Sequence, residues 1–392
     1  MERRRYLERL AATGLAGAGL AGSVGLAGCI QLGAQEAGRS AGGTPTGPGR
    51  PSATDLPVPE SALVRGALQD AIPAITEPAF GPDWEGIRFE ARTEFGEILP
   101  IEPRLHPKDE VIGLAIDGVV RAYPLRVMRW HEIVNDVVAG DPLAVTFCPL
   151  CGSSVVAERD VAGETATFGV SGWLWHSDLV MYDDVTESLW SQVIATAIRG
   201  PRTGDELALR PATRTTWAQW RTEHPDTEVL LPAPESLTVK GEVTRDVNRD
   251  PYAGYEYSAA IGLENTDFDD DRLHPKALVI GVVAGDVTRA YPFSRVNRQG
   301  LVQDTVGGLP VVVAATPDGT LVAYDRRVGG ETLRFKPGPT GDLQAGGSNW
   351  RVASGRAVDG PFEGQTLEPA TPYPPMFWFA WASFAPETGV YG

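Results

Sequence analysis

Residues 106–124 read HPKDEVIGLAIDGVVRAYP, and residues 274–292 read HPKALVIGVVAGDVTRAYP. The offset is 168 positions, and identities include His106/His274, Gly113/Gly281, Arg121/Arg289, Tyr123/Tyr291 and Pro124/Pro292. The match continues through Asp136/Asp304 and Gly140/Gly308. It resumes at Trp190/Trp350, at Gly200-Pro201/Gly360-Pro361, and at Trp217 and Trp220 against Trp378 and Trp381. Such self-similarity predicts two tandem copies of one domain, at 61–231 and 255–392, joined by a linker at 232–254.

Within the first copy the pattern is mostly β. Val111–Ile116 and Val119–Tyr123 flank Asp117-Gly118, a hairpin turn signal. Ile133–Val138 and Leu143–Phe147 flank a second turn, Ala139-Gly140-Asp141-Pro142. Ser154–Ala157, Thr165–Val170 and Leu179–Tyr182 read as further short strands. Thr216–His224 is the clearest helix, followed by Pro225. The expected fold class is therefore mainly β, as two tandem barrel- or sandwich-like domains with few short helices. The absence of regular strand–helix alternation argues against a thioredoxin fold.

The chemistry concentrates at Cys148-Pro149-Leu150-Cys151-Gly152. Proline stiffens such a turn and glycine admits a positive φ after the second sulfur, so both thiolates can face one ion. The same spacing serves a redox dithiol, or a structural disulfide that closes too short a loop to stabilise much. In the register of the repeat, Cys148 faces Thr316, Cys151 faces Gly319 and His131 faces Gln299. Thiols and imidazole present in one copy alone favour a functional site there, with the second, degenerate copy as scaffold.

His131 is placed on the strand paired with the one that leads into Cys148, which makes it the leading third ligand or a base for a thiol. His176, in Trp173-Leu174-Trp175-His176-Ser177-Asp178, is a candidate fourth ligand. Two thiolates with one or two imidazoles suit copper or zinc, copper first.

The chain opens Met1-Glu2-Arg3-Arg4-Arg5-Tyr6-Leu7 and turns apolar and glycine-rich up to Leu26-Ala27-Gly28-Cys29. Residues 1–29 thus read as a twin-arginine export signal ending in a lipobox, with Cys29 the lipidated residue. Residues 30–60, rich in Gly, Ala, Ser, Thr and Pro, read as a flexible tether. The implied location is extracytoplasmic, with the chain anchored through Cys29 to the outer face of the cytoplasmic membrane. The formal charge is −17, and loss of residues 1–28, with four Arg and two Glu, makes it two units more negative. Lys108, Lys240, Lys276 and Lys336 are the only lysines. This acidity suits a salt-adapted surface and excludes nucleic acid as a partner, since no basic patch meets phosphates.

The segments YPLRVMRWHEIVND (123–136), TFCPLCGS (146–153), TFGVSG (167–172), DLVMYDDVTESLWSQ (178–192), TTWAQW (215–220) and RDPYAGYE (249–256) together resemble the DUF3179 family. The resemblance runs from about Asp70 through the second copy. It implies a β-rich extracytoplasmic protein of salt-adapted archaea and of bacteria, and it brings no activity with it.

Three functions stay open on the sequence. The first is a module that binds a copper or zinc ion or passes it to a partner protein. The second is an exported thiol–disulfide oxidoreductase using Cys148, Cys151 and His131 on partner proteins. The third is a structural module without chemistry. No phosphate loop, nucleophile elbow or convincing carboxylate pair is present.

Overall fold

A computed structural model describes residues 49–51, 55–92, 97–263, 268–338 and 341–392. The signal, Cys29 and most of the tether lie outside the described residues. Among the described residues the chain is mainly β, with four seven-residue α-helices, and no helix is long and apolar enough to cross a membrane.

The elements that carry the argument are, in chain order, β1 (Leu63–Arg65), β2 (Ile75–Glu77), β3 (Glu110–Ile116), β4 (Val119–Pro124), α1 (Leu125–His131), β5 (Ile133–Val138), β6 (Asp141–Cys148) and β7 (Ser153–Glu158). They continue as β8 (Phe168–Trp175), β9 (Asp178–Asp183), β10 (Leu189–Ser191), β11 (Thr196–Arg199), β12 (Thr213–Thr216) and α2 (Trp217–Glu223). The later chain adds β13 (Leu278–Ala284), β14 (Val287–Pro292), α3 (Phe293–Gln299), β15 (Leu301–Val306), β16 (Leu309–Ala315), β17 (Leu321–Asp325), β18 (Met376–Phe377) and α4 (Trp378–Phe384).

Four strands, β7-β6-β5-β2, form the middle of a six-stranded sheet whose edges are Leu209–Arg210 and Leu237–Thr238. One face packs Val134, Val145, Phe147 and Val156 against the β3–β4 hairpin and α1. The other packs Ile133, Ala144 and Val155 against Phe168, Val170 and Met181 of a second sheet, ordered β1-β8-β9-β10-β11. Burial on both faces explains why β6 is apolar from Leu143 to Cys148 except at Thr146, rather than alternating. Buried Asn135 joins the two sheets, giving its amide to the carbonyls of Ile75 and Phe168 and accepting from the Phe168 N–H. Among the described residues no sheet closes on itself, so the barrel part of the expectation is replaced by stacked open sheets with short edge strands.

The first hairpin, seven-residue helix, second hairpin and following strand occur twice in the same order, β3 to β7 and β13 to β17. The registers agree as well: Gly113 pairs with Ala122, and Gly281 with Ala290. Each shared residue has a mechanical reason. A Cβ on Gly113 would lie 2.4 Å from the Trp220 ring, and one on Gly281 would lie 2.2 Å from that of Trp381. Each of these indoles gives its N–H to a threonine, Thr227 or Thr388, at 3.0 Å. Asp136 accepts from Arg121 and Tyr123, and Asp304 from Arg289 and Tyr291, so each aspartate ties its two hairpins together rather than supporting a turn.

The halves are intimate. One hydrophobic cluster runs from Val58 to Ala385 and takes residues from both. The contacts are reciprocal. Thr215, at the end of β12, meets Thr320 beside the turn that corresponds to the cysteine turn, hydroxyl to hydroxyl at 2.7 Å. In the other direction, Phe377 of β18 gives its N–H to the Cys151 carbonyl at 2.9 Å.

Two expected connectors are in fact packed. Within the tether, Val58 is buried and its N–H bonds the Ile198 carbonyl at 3.0 Å. Within the 232–254 linker, Leu237–Thr238 extends the six-stranded sheet, and Val247 and Tyr252 are buried. Both stretches hold apolar residues among their prolines and charges, and composition alone hides them.

The glycine–indole lock has a direct test. Gly113→Ala and Gly281→Ala each force a methyl into a tryptophan ring, and each is expected to cost about 1–3 kcal/mol by chemical denaturation. Wild-type midpoints in both variants would show that the indoles yield freely.

Candidate metal centre

Strand β6 ends at Cys148, which pairs with Ser153 at the start of β7. Between them Gly152 adopts φ 60°, and a Cβ there would press on the Phe377 ring at 3.1 Å. The turn's outward groups are satisfied: Arg214 bonds the Gly152 carbonyl at 3.0 Å, and Phe377 bonds that of Cys151. Both sulfurs are buried between the two stacked sheets, and no disulfide joins them.

The β8–β9 hairpin supplies the oxygens. Trp175 pairs with Asp178, leaving His176 and Ser177 as a two-residue turn at φ 51° and 64°. Positive φ at both positions is the twist that a tight hairpin demands, normally met by Asn-Gly. Here it lets the Ser177 carbonyl face the thiols, 3.7 Å from Cys148 Sγ and 3.4 Å from Cys151 Sγ.

Asp178 is fully buried. Its Oδ2 accepts from the Val193 N–H at 3.0 Å and the Ser191 hydroxyl at 3.3 Å. Its Oδ1 has no nitrogen or oxygen donor among the described residues, and the Cys151 thiol hydrogen-bonds the carboxyl. Burial pushes the carboxyl up to about 7, opposed by the N–H groups of Val193 and Leu179, by Ser191 and by Cys151. Among the described residues no arginine or lysine contributes to that balance. Ligand atoms of Cys148, Cys151 and Asp178 all lie within 4.8 Å of one another. Behind them Gln192 bridges the sheets, giving its amide to Thr146 at 2.9 Å and accepting from Ser153 at 2.8 Å.

The two histidines do not join this group. His131 is the last residue of α1, not a strand residue, because Leu125, Val127, Met128 and Trp130 are buried and give a seven-residue helix after Pro124 its stability. Its Nδ1 lies 2.8 Å from the Pro73 carbonyl, which only accepts, so Nδ1 carries the proton and Nε2 the lone pair. Burial takes this imidazole down to about 4. His176 sits on the outside of its turn, against Trp175 and Phe384. Its neighbour's carbonyl, not its ring, reaches the thiols.

Asp178 was not singled out by sequence reasoning, yet the repeat carries a signal for it. Val161-x-Gly163-Glu164-Thr165-x-x-Phe168 recurs as Val328-x-Gly330-Glu331-Thr332-x-x-Phe335. From Phe168 to Trp190 is 22 positions, and from Phe335 to Trp350 only 15. The shortening falls on the hairpin that carries Ser177 and Asp178. The later half therefore has only a shorter hairpin there, Lys336–Pro337 against Leu343–Ala345, and neither thiol.

The buried carboxyl has a pH signature. Its folded pKa stands above the unfolded value near 3.9, so the folded state keeps a proton that the unfolded state releases. Stability of metal-free protein is then lost as pH rises from about 4 to about 7. His131 acts oppositely, since the unfolded chain gains a proton as pH falls from about 6.5 to about 4. Asp178→Asn removes only the first effect. It is expected to stabilise chelator-treated protein by about 1–3 kcal/mol at pH 8, and by less at pH 5, in urea denaturation. A pH-independent difference would place the carboxyl elsewhere on the titration scale.

No curated protein and no solved structure shows significant similarity to the chain. The sequence profile described as protein of unknown function (DUF3179) matches residues 69–388, a span that holds both runs of repeated elements and every residue of the thiol–carboxylate group. The chain belongs to the DUF3179 family.

Proposed function

We propose that this chain is a metal-binding lipoprotein whose first half holds a copper or zinc ion through Cys148, Cys151 and Asp178. The observation that carries the reading is the group itself: two thiols and a carboxyl, fully buried within 4.8 Å, with no arginine or lysine among the described residues acting on the carboxyl. A carboxylate or thiolate removed from water is costly unless an opposite charge stands beside it. A bound cation supplies that charge and uses the oxygen that lacks a nitrogen or oxygen donor.

The wider reading has export by the twin-arginine route, lipidation at Cys29 and residence at the outer face of the cytoplasmic membrane. It takes 61–231 and 255–392 as two copies of one β unit. The second copy, without thiols, serves to press Phe377 onto the cysteine turn. Neither histidine is included among the donors.

A second reading, a thiol–disulfide oxidoreductase, draws on the carboxyl near 7, which is suited to take a thiol proton. Against it, both sulfurs are buried, whereas an attacking thiolate needs access to its partner disulfide.

Protein purified without chelator is expected to carry about one copper or zinc ion per chain, with both thiols resistant to alkylation until chelator and denaturant are added. Cys148→Ser with Cys151→Ser should lose the metal. Metal-free protein with a reversible Cys148–Cys151 disulfide would overturn this reading in favour of the oxidoreductase. Separately, Cys29→Ala is expected to abolish fatty-acid labelling and to move the protein out of the membrane fraction. Labelling that persists in the variant would refute the lipobox.

A further inference from the structure

We infer that the ion is Zn²⁺, and that the main-chain carbonyl of Ser177 is its fourth donor beside Cys148, Cys151 and Asp178. The inference rests on the metal reading above and narrows it.

Donor chemistry separates the two candidate ions. Thiolates serve both Cu⁺ and Zn²⁺, but soft Cu⁺ gains little from a carboxylate or a carbonyl, whereas borderline Zn²⁺ takes oxygen readily. The site offers as many oxygens as sulfurs. A tetrahedral zinc ion, with Zn–S near 2.3 Å and Zn–O near 2.0–2.2 Å, holds sulfur and oxygen ligands about 3.6 Å apart. Ser177 O accepts a hydrogen bond from each thiol, 3.7 Å from Cys148 Sγ and 3.4 Å from Cys151 Sγ. A single carbonyl placed at that spacing from two sulfurs matches two edges of one tetrahedron.

The carbonyl is also held in place, from the second half of the chain. A Cβ on Gly262 would lie 2.1 Å from Ser177 Oγ, so the backbone at 262 sits directly on the turn. Gly262 gives its N–H to the Tyr255 hydroxyl at 2.9 Å. Buried Lys276 gathers the carbonyls of Tyr255, Ser258 and Ala260 around its ammonium, above the Tyr255 ring. Two consecutive non-glycine residues at positive φ are strained unless such surroundings fix them. Four donors from two turns, all inside the protein, describe a closed site in which zinc ties the β8–β9 hairpin to the cysteine turn.

The test is X-ray absorption at the zinc edge of the full chain, together with competition of Zn²⁺ and Cu⁺ against chelators for wild type and Asp178→Asn. The expected shell is two sulfurs near 2.3 Å and two oxygens near 2.0–2.2 Å. Asp178→Asn should weaken Zn²⁺ by at least about 100-fold and leave Cu⁺ within about threefold, as expected for loss of a ligand that only the harder ion uses. The wild-type spectrum needs no variant, so a folding defect in Asp178→Asn does not remove the test. A shell containing imidazole nitrogen, or equal losses for both ions, would overturn the zinc assignment while the metal reading stands. If neither ion binds and both thiols alkylate at the same rate with and without them, the metal reading itself fails.

Discussion

The N–H of Phe377 bonded to the Cys151 carbonyl is the point on which the two halves of the chain depend. It fixes the cysteine turn from outside, and the Phe377 ring occupies the place where a side chain on residue 152 would stand. Only glycine at positive φ accepts that approach. With its carbonyls engaged by Phe377 and Arg214, the turn directs its sulfurs inward, between two stacked sheets. The opposite contact, Thr215 on Thr320, places the end of β12 against the corresponding turn of the later half. Because each half covers the other's turn, the core between them is continuous and the connecting segment is packed into a sheet.

That arrangement creates an electrostatic cost. Asp178 and two thiols are buried together, and among the described residues no arginine or lysine offsets the carboxyl. The usual remedy for a buried carboxylate is a guanidinium, as Asp136 has in Arg121 and Asp304 in Arg289. The same chain thus contains both solutions: paired aspartates where the role is to tie strands, and an unpaired one beside the thiols. The later half, which has Thr316 and Gly319 at the cysteine positions, also has the shorter hairpin. Both thiols are absent there.

Much of the architecture was legible in the sequence because it is local. Asp117-Gly118 and Gly140 mark turns that any chain would make there, and the strands on either side fall within two residues of their expected limits. The helix of Trp217–Glu223 carries its own start signal, the Thr216 hydroxyl accepting from the Gln219 N–H. The helix of Leu125–His131 carries none: no side chain caps it, and its stability comes from burial against strands far away in sequence. The sequence therefore shows no helix signal there, and His131 reads as an extension of the strand that begins at Ile133.

The sequence by itself determined the β class, the hairpins and the pair of thiols, since each depends on residues a few positions apart, and the repeat, since it needs only a comparison of the chain with itself. Only the tertiary structure decided what meets those thiols. Cys151 and the Ser177 carbonyl are 26 positions apart, and no short-range pattern joins them. Their meeting depends on a two-residue turn at positive φ, on the stacking of two sheets, and on a covering segment from the second half. Side-chain chemistry made histidine the natural third ligand on paper. Packing gave the imidazole to the Pro73 carbonyl and brought a carboxyl and a backbone oxygen to the sulfurs in its place.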